Sequence, residues 1–200
     1  MIEIAGKKYS ELTLDFETFY GKDFTLSGDL NTSEYIRDPR FHVHGLAIKH
    51  EGQPATWVYG KREIKKTLAS IDWDNTALIA HNAAFDGFIL SEIYGYVPGF
   101  YIDTLSMARA AHGHHMRHNL DTIAKAHGRK GKVKAGALVN TKDKMVLTDE
   151  EMKSLGEYAI DDVEDTEFIY QKIRPFIPSD EMRLIDITMR MFCDPILEID

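Results

Sequence analysis

Two hundred residues, 44% apolar and 28% charged, suffice for one medium globular domain with a substantial core. Cys193 is the single cysteine, which excludes an intrachain disulfide framework and fits a reducing, cytoplasmic compartment. No apolar run approaches the ~20 residues that span a bilayer and the N-terminus is not signal-like, so no membrane partner is expected. The net charge of −8 argues at first against nucleic acid, but it is unevenly spread. Between Thr104 and Lys134, Arg109, Arg117, Lys125, Arg129, Lys130, Lys132 and Lys134 stand against Asp121 alone, a balance of +6. Such a patch can track phosphates or simply solubilise a loop.

In chain order, Met1 to Ile4 is expected as a short strand and Leu12 to Glu17 as a central one. Tyr20 to Arg40 has no clear period and reads as a loop-rich insertion. Val43 to His50 and Ala55 to Tyr59 alternate as two strands of a hairpin. Lys61 to Ser70 is a helix with Ile64 and Leu68 on one face. Ala77 to His81 is a buried strand, and Phe85 to Tyr94 a helix. Phe100 to Ile102 forms a short strand leading to Asp103, a helix N-cap. Helices follow over Thr104 to Ala111 and Leu120 to His127, with Gly128 as a stop. Thr148 to Glu151 has the capping-box form and opens a helix to about Ile173, with a possible break at Gly156. Leu155, Ala159 and Val163 form its core stripe. After Pro175 and Pro178, Asp180 to Phe192 is one more helix. Strands that alternate with helices predict an α/β domain with a mixed sheet.

Three segments carry the chemistry. In Leu12-Thr13-Leu14-Asp15-Phe16-Glu17-Thr18, strand alternation places Asp15 and Glu17 on one face. The pair is either a solvated strand end or a site for a divalent cation, which would relieve the repulsion. Oxygen-only ligands suit Mg2+ or Mn2+. The second segment is His81-Asn82-Ala83-Ala84-Phe85-Asp86, behind the apolar run Ala77 to Ala80. The third is Tyr158-Ala159-Ile160-Asp161-Asp162, where Tyr158 and Asp162 share a helical face and Asp161 is turned about 100° away.

Together these segments resemble the three motifs of the 3′→5′ exonucleases that carry four acidic residues and a tyrosine: Asp-x-Glu, Asn-x-x-aromatic-Asp and Tyr-x-x-x-Asp. Phe16-Glu17-Thr18-Phe19, Tyr35-Ile36-Arg37-Asp38-Pro39 and Asn119 to Ala124 followed by Gly128 further resemble the exonuclease domain of phage-type family A DNA polymerases. The resemblance implies a ribonuclease H-like fold, with the exonuclease domain over 1–178 and, over 179–200, a junction helix toward an absent polymerase domain. It implies two divalent cations, Mg2+ or Mn2+, about 3.5–4 Å apart. Asp15, Glu17 and Asp162 would hold one, Asp15 would bridge to the second, and Asp86 would serve the second through waters. Tyr158 would orient the attacking water. Thr18, Asn82 and Phe85 would contact the bound strand, although a helix cap for Asn82 and core packing for Phe85 are equally open.

The function so implied is proofreading hydrolysis of single-stranded DNA 3′ ends, with a polymerase domain or other replication proteins as partners. A free-standing RNA 3′→5′ exonuclease and a non-catalytic nucleic-acid-binding module are the alternatives. Two features stay outside the motifs. Asp165, three residues after Asp162, is expected on the solvated side of its helix, with a place supporting the Asp162 carboxylate as the alternative. His114 and His118 have the spacing of a zinc pair if helical, but Gly113 disturbs the helix, and a surface loop is expected for the cluster from His112 to His118.

Overall fold

The computed structural model describes residues 1–4, 6–26, 30–130 and 140–195. Its frame is a mixed sheet in the order β4-β3-β2-β5-β6, with β1 paired to the start of β2. The strands are β1 (Ile2–Ile4), β2 (Lys7–Thr18), β3 (Val43–His50), β4 (Thr56–Tyr59), β5 (Thr76–Ala80) and β6 (Phe100–Asp103). β1, β2, β3 and β4 pair antiparallel, whereas β5 and β6 run parallel to β2. Every residue of β5 is buried, as expected of a parallel strand covered on both faces.

The two faces of β2 meet different layers. Leu12, Leu14 and Phe16 join Leu46, Ile48 and Leu78 in one core, closed by Ile64 and Leu68 of α2 (Lys61–Ala69) and by Phe88 of α3 (Ala83–Phe88). On the other face, Ala77, Ile79 and Ile102 pack with α4 (Thr104–His112), α5 (Leu120–Ala126) and α6 (Asp149–Ile173). The sheet with a helical layer on each face is the expected α/β architecture. α7 (Ser179–Cys193) buries Met182 and Ile185 in the second core and Met189 and Cys193 in the first. It lies against β6, whose Tyr101 amide donates to Asp186. The expected junction segment thus falls on α7, and its last residues, 196–200, lie outside the described residues. Among the described residues no helix is long and apolar enough to cross a membrane.

The structure departs from the sequence expectations in several elements. β2 begins at Lys7, before the expected Leu12, and the helix expected over Phe85 to Tyr94 is α3, from Ala83, continued by a π-helical stretch over Ile89–Ile93. The stretch from Tyr20 to Arg40 holds a helix, α1 (Thr32–Arg37), opened by a capping box between Asn31 and Glu34. A ring cluster anchors it, with Phe24 stacked on Tyr35 at 4.4 Å and Tyr35 edge-on to Phe41. α6 runs unbroken through Gly156. A Cβ there would stand 2.5 Å from the Trp57 indole, and one at Gly45 2.2 Å from the same ring. Both glycines make room for Trp57, which lets α6 settle on β3.

Candidate active site

The C-terminal half of β2 presents Asp15 and Glu17 on its α6 side. Their cross-strand partners on β3 are Ala47 and Gly45, small enough to admit a helix. Ala159 and Val163 of α6 pack on Ala47, and this contact sets the helix so that Asp162 faces the strand. One carboxylate oxygen from each of Asp15, Glu17 and Asp162 lies within 4.8 Å of the others. Glu17 and Asp162 are buried and Asp15 is half-buried. Asp161, next in the helix, is exposed.

Asp86 arrives from the other layer. β5 pairs with β2 only as far as Thr13, so the Phe16 amide beyond that point is open on this side. The Asp86 Oδ1 accepts that N–H at 2.9 Å, between the two strand carboxylates in sequence. Burial holds the Asp86 carboxyl well above the usual carboxylate range, and the nearby Asp15 charge pushes it the same way. Asp86 therefore stands beside the three-carboxylate cluster rather than inside it.

Tyr158, one turn before Asp162, is buried and donates its hydroxyl to that carboxylate. Burial first, then the charges of Asp162 and Glu17, raise its phenol above the ordinary tyrosine value. A phenol so held is a proton donor and positioner, not a base.

The three residues expected to contact a bound strand adjoin these acids along the chain, Thr18 after Glu17 on β2 and Asn82 and Phe85 at the start of α3 before Asp86. Asn82 is exposed and adopts a left-handed conformation, φ 72°, at the head of α3, and its side chain makes no capping bond. Phe85 is half-buried, with its ring tilted against Tyr35. The Thr18 hydroxyl lies 3.0 Å from the Tyr35 hydroxyl, which in turn donates to the Phe19 carbonyl.

The left-handed turn depends on a residue that sequence reasoning placed only as a cap. Asp103 caps α4 by accepting from the amides of Leu105 and Ser106. The same carboxylate also accepts from the Asn82 and Ala83 amides, at 2.9 and 3.0 Å. A cap of one helix thus fixes the start of another, 21 residues earlier. The capping signal was legible in the sequence, but the long-range half of the contact was not.

Asp165 is a correction. It is 5% exposed and paired with Arg129, which comes from the basic stretch. Lys125 likewise pairs with Asp121. Arg109, Arg117 and Lys130 remain exposed, while Lys132 and Lys134 lie outside the described residues. The histidines follow the expectation of a loop. α4 ends at Gly113, and His114 and His115 are exposed. The Nε2 atoms of His112 and His127 lie 3.1 Å apart, and the His118 carbonyl accepts from His81 Nε2.

A sequence profile described as 3′-5′ exonuclease matches residues 41–178, more than half of the chain. The chain belongs to the 3′-5′ exonuclease family. The matched stretch includes Asp86, Tyr158 and Asp162, and the β2 carboxylates precede it. Among curated protein sequences none matches significantly. Solved structures resemble the exonuclease along almost its whole length. Brucella melitensis NrnC superposes with a TM-score of 0.65 at 16% identity, covering 98% of this chain and 87% of its own. Trypanosoma brucei RNase D gives 0.65 at 14% identity, over 95% of this chain and 68% of its own. The family B DNA polymerase of Pyrobaculum calidifontis gives 0.56 at 16% identity, over 96% of this chain but 28% of its own. The shared fold is the ribonuclease H-like exonuclease fold.

Proposed function

We propose that this chain is a divalent-metal-dependent 3′→5′ exonuclease that trims RNA from its 3′ end, acting on its own rather than as a polymerase's proofreader. The observation that carries the metal-dependent exonuclease part of this reading is the cluster of Asp15, Glu17 and Asp162 with Tyr158 bonded into it. The donor set fits a hard cation. Oxygens sharing one octahedral Mg2+ stand about 3–4 Å apart, and three carboxylates within 4.8 Å reach that with small side-chain adjustments. Asp15, Glu17 and Asp162 would hold one Mg2+ or Mn2+. Asp15 would also reach a second, with Asp86 serving it through waters. When bound, such cations acidify the attacking water and stabilise the leaving oxygen.

The chain's own groups do the rest. Tyr158 keeps its proton and orients the water. Asn82 presents its amide from a turn that Asp103 holds rigid, in reach of phosphate or sugar oxygens. Phe85 and Thr18 line the same end and would meet the terminal nucleotide. The RNA reading draws support from Trypanosoma brucei RNase D, a ribonuclease by name and matched over 68% of its own length. Structures of NrnC with bound Mg2+ and bound to pGG support the divalent metal and a nucleic-acid substrate of either sugar. The second reading, proofreading of single-stranded DNA, keeps the same site and is supported by the fold likeness to the Pyrobaculum polymerase.

The test is degradation of matched, 5′-labelled RNA and DNA oligonucleotides in Mg2+, Mn2+ and chelator, with Asp15→Ala as control. Metal-dependent laddering of RNA in preference to DNA is expected. Preference for DNA would move the assignment to proofreading. Binding without cleavage in either metal would make the chain a non-catalytic module.

A further inference from the structure

A cavity of about 580 Å3 opens at the start of β3, and none of Asp15, Glu17, Asp86, Tyr158 or Asp162 lines it. Its size is that of a small-molecule site. Three of its features each ask for a different part of a ligand.

The first is an apolar, partly aromatic lining from Phe41, Ile64, Tyr94 and Leu147, suited to a flat ring system. The second is His44. It lines the cavity, is 3% exposed, and its Nε2 has no hydrogen-bond partner among the described residues. Burial lowers its basicity to a pKa of about 4, so the ring is neutral at pH 7 and offers a hydrogen bond without charge. A buried polar atom left unpaired costs free energy that a ligand can recover. The third is the N-terminus of α2. Its cap residue, Gly60, supplies no side chain, and Gly60 and Lys61 line the cavity. The first amides of a nine-residue helix therefore point outward there, and the exposed Lys61 and Lys65 stand one turn apart beside them. That is an anion site by dipole, by amide and by charge.

A ring with hydrogen-bonding edges, joined to a phosphate, satisfies all three. We propose that this cavity binds a nucleoside 5′-monophosphate, with the base against His44 and the phosphate at the head of α2. The site also lies next to the reaction. Val43, in the cavity wall, pairs with Thr18, and Gly45, after His44, pairs with Glu17. A bound nucleotide would press on the strand neighbouring the carboxylates, as a product-feedback ligand does. That feedback role rests on the exonuclease reading; the binding site does not.

The experiment is calorimetric titration of AMP and GMP into the full chain in excess EDTA, which keeps the carboxylate cluster out of play. Saturable one-to-one binding is expected, at least about tenfold weaker in the Lys61→Ala/Lys65→Ala variant and unchanged in Asp15→Ala. The two lysines are exposed, so the variant should keep its fold. His44→Gln serves as a second probe of the base end. Inorganic phosphate and adenosine alone should each bind much more weakly than AMP. No saturation by about 10 mM nucleotide overturns the proposal. So does phosphate binding as tightly as AMP, or binding lost in Asp15→Ala but kept in the lysine variant. A chain that binds AMP in this way yet cleaves no oligonucleotide keeps the site and retires the exonuclease reading. An active chain that binds no nucleotide retires the site alone.

Discussion

Replacing Asp103 with alanine removes one carboxylate and four backbone hydrogen bonds. Two are the α4 cap bonds to Leu105 and Ser106, and two hold Asn82 and Ala83 at the head of α3. Loss of a cap costs about 1 kcal/mol. The Ala83 amide belongs to a fully buried residue, and losing a charged acceptor there and at Asn82 costs roughly 1.5–3 kcal/mol each before relaxation. Allowing for water at exposed Asn82, the sum is about 3–5 kcal/mol, a large share of the 5–15 kcal/mol of a typical domain. Urea unfolding followed by circular dichroism should show the midpoint falling by about 2 M at a slope near 2 kcal/mol/M. The catalytic consequence is separate. At a temperature where the variant is folded, oligonucleotide cleavage should fall further than the folded fraction does, because Asn82 and Asp86 hang on the turn that has lost its anchor. Asp103→Asn keeps one acceptor oxygen and should recover most of the stability. A loss below about 1 kcal/mol in Asp103→Ala would refute the reasoning and leave Asp103 as a helix cap alone.

Four further outcomes follow from the same geometry. Asp162→Asn should abolish cleavage while Asp161→Asn keeps most of it, because only Asp162 faces Asp15 and Glu17; the reverse result in a single-turnover assay would put the helical register wrong by one residue. Tyr158→Phe should slow cleavage by roughly 10²–10⁴-fold with oligonucleotide affinity in Ca2+ unchanged, whereas an unchanged rate would make Tyr158 a packing residue. Gly156→Ala should destabilise by roughly 1–3 kcal/mol in thermal unfolding despite alanine's better helix propensity, since the added carbon meets Trp57; a gain in stability would show that the indole is free to move. The folded His44 has a depressed pKa, so its contribution to stability is present above pH 6.5 and is lost as pH falls toward about 4; His44→Gln should flatten the stability–pH curve over that window, and an unaltered slope would mean that His44 is solvated.

The chain order of the strands and helices was legible because their periodicities are local. Leu12 to Glu17, Val43 to His50 and Phe100 to Ile102 alternate or run apolar as strands do, and the Thr148 capping box starts α6 where the pattern begins. α1 escaped although its Asn31–Glu34 capping box was present, because a six-residue helix shows too little period to stand out from a loop. Two pairs of the candidate site were legible for the same reason as the strands, whereas joining them with Asp86 into one site came from the motif resemblance. Asp15 and Glu17 share a face by strand geometry, and Tyr158 and Asp162 by helix geometry, so each pair needs no knowledge of the rest of the fold.

Tertiary structure decided what no single element contains. That α6 delivers Asp162 to β2 depends on Gly45, Ala47 and Gly156 leaving room around Trp57, and those residues lie on three elements. That Asp86 settles on the Phe16 amide depends on where β5 stops pairing. Asp165 was expected outward in preference to a place supporting Asp162, and it is buried and paired with Arg129, which follows α5. Local patterns are set by φ, ψ and the direction of Cβ within one element. Which carboxylate meets which amide or cation is set by contacts between distant segments, and those exist only once the sheet and both helical layers have packed.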